Sequence, residues 1–156
     1  MQACCLAVVF LYLIIKNIKF SSNLTKMSKF AIEKIKTIKG KQSFYDLKVN
    51  EVFQFKVFSD NIEEQYKSEL MRLNARMDLV ANLNRLPKEK FRDITPDKET
   101  VREYEFKTKH LRVYAIHIEK TGKVIVLGGH KNAQKSDISS FRRLKAQFLK
   151  SLNDDK

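Results

Sequence analysis

One stretch, Val101 to Leu152, limits the folding options most: three strand-like runs, a basic loop and a basic amphipathic helix follow one another. Arg102, Tyr104 and Phe106 alternate with Val101, Glu103, Glu105 and Lys107, the period of two that marks a strand. Leu111 to Glu119 is a second run and Lys123 to Leu127 a third. Lys120-Thr121-Gly122 joins these two, with glycine supplying the positive φ that a short hairpin needs. Gly128-Gly129 is expected to end the third strand, and the loop His130 to Lys135 to follow it. Ser136 is then expected to cap a helix running to about Leu152. Ile138, Phe141, Leu144, Phe148 and Leu152 form its apolar stripe, with Arg142, Arg143, Lys145 and Lys150 off the stripe. In the second run Leu111, Val113 and Ala115 alternate with Tyr114, Ile116 and Ile118, so both faces are apolar. Such a strand sits centrally, with helices covering each side. Arg112 breaks that pattern and must snorkel, pair, or face a functional cleft.

Upstream, Phe30 to Ile35 and Phe44 to Val49 read as a hairpin that turns at Lys39-Gly40-Lys41-Gln42. Val52 to Phe58 fits either a strand face or a helical turn, and its aromatics suit core packing better than base stacking. Ser59-Asp60-Asn61 offers an N-cap to a helix from about Ile62 to Asn84. Ile62, Tyr66, Leu70, Leu73, Met77 and Val80 are its buried stripe, and Leu86-Pro87 stops it. Pro87 to Thr100 reads as a loop pinned by Phe91, with Arg92 and Asp93 in a salt bridge. The expected fold class is α+β: an antiparallel sheet with packed helices.

Charge narrows the partner. The 156 residues carry 31 Lys and Arg against 18 Asp and Glu, a formal net charge of +13. A balance of that sign favours a polyanion: RNA, DNA or an anionic membrane. Cys4 and Cys5 are the only cysteines, so there is no disulfide framework, and adjacent cysteines lack the spacing of a zinc site. His110, His117 and His130 have no cysteine near them and make a weak metal case; the chain suits a reducing compartment. Ala3 to Ile15 is an apolar run of 13 residues, short of the about 20 that cross a bilayer. No basic segment precedes it, as a secretory signal requires. Met27 reads as an ordinary start. Residues 1–26 are therefore expected to be a dispensable apolar leader, residues 27–156 a single domain, and stable membrane association is not expected. Only three lysines and no acids fall in the leader, so 28 basic residues still face 18 acidic ones without it.

No GxSxG, HExxH, P-loop or paired-acid motif occurs. What remains is cationic: Lys107, Lys109, His110, Arg112, His130, Lys131 and Lys135. RNA cleavage by 2′-hydroxyl attack needs a base at the hydroxyl, charge at the phosphorane and an acid at the leaving oxygen. Lys and Arg supply the charge without a metal. Each residue has a plainer reading: Arg112 pairing with Glu103 or Glu105 across strands, the lysines solvated.

The run Leu111-Arg112-Val113-Tyr114, the hairpin, and then Gly-Gly-His-Lys-Asn-Ala-Gln-Lys-Ser-Asp-Ile resemble the C-terminal half of the RelE/HigB toxin superfamily, closest to its phage-derived branch. The resemblance is best from about Glu103 to Leu149 and weaker back to Asn61. It implies a RelE-like toxin fold and a small cytoplasmic bacterial toxin of a type II toxin–antitoxin system. Such toxins are ribosome-dependent, metal-independent mRNA endonucleases that block translation. They need no cofactor, and their partners are mRNA on the ribosome and a cognate antitoxin, here expected to be a helix-turn-helix protein. Carried over by residue, Arg112 matches a strand arginine at the scissile phosphate. Lys107 falls near another basic strand position, Lys135 matches a basic loop residue, and Lys131 the lysine after Gly-x-x. Arg112, His130, Lys131 and Lys135 are thus the catalytic candidates. Lys107, Lys109, His110, Tyr114, Arg142 and Arg143 are the RNA-binding ones. Some members place a tyrosine near the start of the last helix, where this chain has Ser139. The acid and base then fall to His130, Lys131 or Tyr114. Two alternatives stand beside the nuclease: a non-catalytic toxin of the same fold that binds a protein target such as DNA gyrase, as the ParE branch does, and a plain nucleic-acid-binding module.

Overall fold

A computed structural model describes residues 30–154, and the expected leader, residues 1–26, lies outside them. Strands β1 (Phe30–Lys34) and β2 (Phe44–Val49) form the expected antiparallel hairpin, and the short β3 (Val52–Phe53) folds back onto β2. Helix α1 (Gln54–Asp60), a 3-10 turn (Glu64–Tyr66) and helix α2 (Lys67–Ala81) follow. Then come β4 (Phe91–Asp93), β5 (Glu103–Lys107), β6 (Leu111–Ile118) and β7 (Gly122–His130), a 3-10 turn (Lys131–Ala133) and helix α3 (Gln134–Asp154). The result is an α+β fold with a seven-stranded open sheet of order β1-β2-β7-β6-β5-β4, β3 lying beside β2. Every pairing is antiparallel except β2 with β7.

β6 and β7 are central, as the apolar residues on both faces of β6 require. On one face Leu111, Val113 and Ala115 pack with Phe55 of α1 and Leu73, Met77 and Val80 of α2. On the other Tyr114 and Ile116 pack with Phe141 and Phe148 of α3. Gly122, at φ +133°, opens β7 after the turn as expected.

Long-range contacts settle or revise several sequence expectations. Val52 to Phe58 is split between a strand end and a helix, because the buried Asp46 carboxylate of β2 accepts hydrogen bonds from the Phe55 (2.8 Å) and Lys56 (2.9 Å) amides and so caps α1 from outside its own segment. Asn61 therefore closes α1, its amide and side chain both donating to the Val57 carbonyl, instead of capping the next helix, which begins at Lys67. Phe91–Asp93 is a short edge strand rather than loop: Phe91 stacks on Tyr104 at 5.1 Å, and Arg92 and Asp93 pair with Glu105 and Arg102. Ser136 lies inside α3, its hydroxyl donating to the Ala133 carbonyl.

Gly128-Gly129 does not end β7 but lies within it. Successive strand residues point to opposite faces. A Cβ on Gly128 would sit 2.4 Å from the Phe58 ring of α1, and one on Gly129 2.1 Å from an Asp137 oxygen of α3. The pair lets a helix approach β7 from each side. Gly128→Ala should cost about 1–3 kcal/mol by overpacking a ring held between α1 and the sheet. Gly129→Ala should cost less, because the Asp137 carboxylate can swing aside. Urea denaturation of both variants measures the difference.

Candidate functional site

The strand order sets one end of the sheet apart. β5 ends at Lys107, the turn Thr108-Lys109-His110 leads into β6, and β7 arrives beside it at His130, paired with Leu111. The Lys131 amide donates to the His110 carbonyl at 2.7 Å, which closes the rim. Lys107, Lys109, His110, His130 and Lys131 are thereby gathered, and Lys135 stands one turn further in α3. A hollow of about 480 Å³ lined by Asn132, Ala133, Lys135, Ser136 and Ser139 opens beside it. A second groove, of about 380 Å³, lies between β1–β2 and α1 and touches none of these residues.

On the α3 face of this end stands a carboxylate with no exposed surface, Glu105. Arg92 Nε meets its Oε2 at 2.6 Å and Gln134 donates to its Oε1 at 2.6 Å. Arg112 Nε lies 3.5 Å from that same Oε1. Arg112 is itself buried, and its Nη1 donates to the Thr108 (2.6 Å) and Leu111 (2.8 Å) carbonyls. Of the readings open from the sequence, the geometry shows pairing with Glu105. Tyr114 is fully buried against Phe141 and offers no surface to a base, which corrects its assignment as an RNA contact. Burial, with the Glu105 and Asp137 carboxylates nearby, pushes its hydroxyl well above the usual range. Burial likewise pushes the Asp137 carboxyl up.

Further along the same face Glu103 repeats the arrangement. Arg142 Nε (3.0 Å) and Lys145 Nζ (2.6 Å) hold its two oxygens, and Lys145 also meets Glu99 at 2.7 Å. Arg142 also donates to the Ile94 carbonyl. Both residues lie off the apolar stripe in the sequence, yet Lys145 is buried and Arg142 is engaged with the sheet. Arg143 is exposed.

On the α2 face the buried Glu69 reaches the turn. Its Oε1 meets His110 Nδ1 at 2.6 Å and its Oε2 accepts the His110 amide at 2.9 Å. Burial alone would raise the Glu69 carboxyl, but the Thr108 hydroxyl and the two His110 donors outweigh it and hold it at about 2. The Tyr66 ring contacts both imidazoles, 5.3 Å from His110 and 5.2 Å from His130. His130 Nε2 lies 3.4 Å from Glu63 Oε2. Glu63, Tyr66 and Glu69 carry no motif in the sequence; their signal is only a helical stripe and first-turn acids.

Among the described residues Lys107, Lys109, Lys131 and Lys135 form no side-chain hydrogen bond or ion pair, unlike Arg92, Arg112, Arg142 and Lys145. Burial and the neighbouring Arg92 lower the Lys107 ammonium from its ordinary value. Among the described residues no group of three or more His, Cys, Asp or Glu is placed to hold a metal ion, and no helix is long and apolar enough to cross a membrane. In comparison with known proteins, the chain matches no family model, no curated protein and no solved structure.

Two outcomes follow from these contacts. Removing one partner of a buried pair strands the other, so Arg112→Ala should destabilise by up to about 3–5 kcal/mol, measured by urea denaturation; Arg92 and Gln134 soften the loss. Glu69 has a depressed folded pKa, so its stabilising contribution is present above its ordinary value of 4.5 and is lost as pH falls toward 2. The stability gap between the native chain and Glu69→Gln should narrow across that window in a pH series of melting curves.

Proposed function

We propose that this chain is a RelE/HigB-like toxin of a type II toxin–antitoxin system, acting in the bacterial cytoplasm as a ribosome-dependent, metal-independent mRNA endonuclease. The observation that carries the reading is the sorting of cations at the strand end. Lys107, Lys109, Lys131 and Lys135 remain unpaired around two part-exposed imidazoles, while Arg92 and Arg112 are answered by the buried Glu105. Unpaired ammoniums beside titratable imidazoles are what a phosphodiester in transition needs: positive charge for the phosphorane and groups that move protons. The α+β sheet with helices on both faces supports the RelE-like fold. Arg112 enters this reading as the brace that sets the turn, through its bonds to the Thr108 and Leu111 carbonyls. An exposed patch on the outer side of α2, where Met71 (72 % exposed) and Leu79 (44 %) lie beside Arg72, would suit the expected antitoxin.

The full chain added to a translation reaction should stop protein synthesis and leave mRNA cut on the ribosome, with cut sites mapped by primer extension. Its affinity for single-stranded RNA should fall with salt, log K against log[salt] having a slope of about −0.7 per phosphate contact. Intact mRNA with damaged DNA would instead assign the chain to a protein target such as gyrase. Salt-dependent RNA binding with translation unaffected would leave a plain nucleic-acid-binding module.

A further inference from the structure

Within the endonuclease reading, on which it rests, we infer that His110 and His130 form the acid–base pair, with Tyr66 as the spacer that sets their separation. One imidazole comes from the turn before β6 and the other from the end of β7, which meet at one rim, and neither is sealed: their side chains are 43 % and 39 % exposed. Each ring centre lies just over 5 Å from the Tyr66 ring, so their separation is bounded by the sum of those two distances. That span suits a phosphodiester whose attacked hydroxyl and leaving oxygen lie on opposite sides of phosphorus.

The carboxylates distinguish the two roles. Glu69 Oε1 accepts from His110 Nδ1, which fixes the tautomer and leaves the Nε2 lone pair open as a base. Glu69 also fixes the turn itself through the His110 amide. Glu63 Oε2 lies 3.4 Å from the Nε2 of His130, the ring that serves as the acid in this assignment. The other groups facing the pair are Thr108 beside Glu69, the Asp137 carboxyl of α3 on the His130 side, and Lys109 and Lys131, the chain neighbours of His110 and His130.

The step balances without a co-reactant. His110 Nε2 takes the 2′-hydroxyl proton as the 2′-oxygen bonds to phosphorus. The P–O5′ bond breaks, and protonated His130 gives its proton to the 5′-oxygen. The products are a 2′,3′-cyclic phosphate and a 5′-hydroxyl, and the unpaired lysines carry the extra negative charge of the phosphorane. His110 and His130 are the catalytic residues in this scheme; Glu69 is a positioning residue.

The experiment uses the full chain and ribosomes programmed with an end-labelled mRNA, in single turnover across pH 5.5 to 8.5, with thermal unfolding recorded for every variant. The native chain should leave 2′,3′-cyclic phosphate and 5′-hydroxyl ends with a bell-shaped pH–rate profile. His110→Gln and His130→Gln should each lower the cleavage rate about 10²–10⁴-fold. Each should also remove one limb of the bell, with RNA affinity and melting temperature near native. His110→Ala should regain activity when imidazole is added, a rescue that a folding role for His110 would not give. Glu69→Gln should lower the rate less and shift the acidic limb, the one set by His110 as base. Cleavage by His110→Gln at the native rate with an unchanged profile overturns the pairing while leaving the endonuclease reading intact. So does a loss of activity in His110→Ala that imidazole fails to restore in a folded protein. If the native chain cuts no mRNA, the endonuclease reading falls and the pairing with it.

Discussion

Burial of two carboxylates on one strand governs much of this molecule. Glu103 and Glu105 of β5 have no exposed surface. An ionised carboxylate taken out of water is costly unless it is paired and hydrogen-bonded. Every element near β5 contributes to meeting that demand: Arg92 from β4, Arg112 from β6, Gln134, Arg142 and Lys145 from α3. These bonds fix how α3 lies on the sheet more tightly than its apolar stripe alone would. They also explain why part of a strongly basic helix faces inward.

The same demand sorts the positive charges by role. Cations matched to the buried Glu103 and Glu105 hold the fold, whereas Lys107, Lys109, Lys131 and Lys135 stand without an ion pair where β5, β6 and β7 end. Glu69 performs the parallel task on the other face, where it orients the His110 turn from α2. Glu105, reached through Arg112, and Glu69 thus grip the short segment between β5 and β6 from its two sides. A polyanion approaching that rim meets unpaired ammoniums and two imidazoles on a rigid backbone rather than on a free loop. Catalytic groups gain from such support, since small misplacements at a reacting centre lose much of the rate.

The longer strands are legible in the sequence because alternation is a local signal, which the three residues of β4 are too few to show, and the central place of β6 follows from its two apolar faces. The ends of elements are less so. α1 escapes a local reading because its cap, Asp46, stands on β2. Gly128-Gly129 looks like punctuation, whereas the glycines are required by helices that arrive from distant parts of the chain. The site is legible in outline. Lys107, Lys109, His110, His130, Lys131 and Lys135 are indeed neighbours, since strand order alone brings them together. The partners of Arg142 and Lys145, and the placing of Tyr66 against two histidines, depend on packing between segments some 40 or more residues apart, about 46 for Lys145 with Glu99. Burial of Tyr114 is the plain consequence of a strand covered on both sides.

The central claim is that the unpaired rim lysines, and not the paired cations, make the polyanion site. The direct measurement is the salt dependence of single-stranded RNA binding for the full chain with Lys107, Lys109, Lys131 and Lys135 all changed to Gln. The account predicts a melting temperature close to native, with both the affinity and the steepness of the salt dependence sharply reduced, by about 0.7 in slope for each lost contact. A native slope and affinity in that folded variant would contradict it.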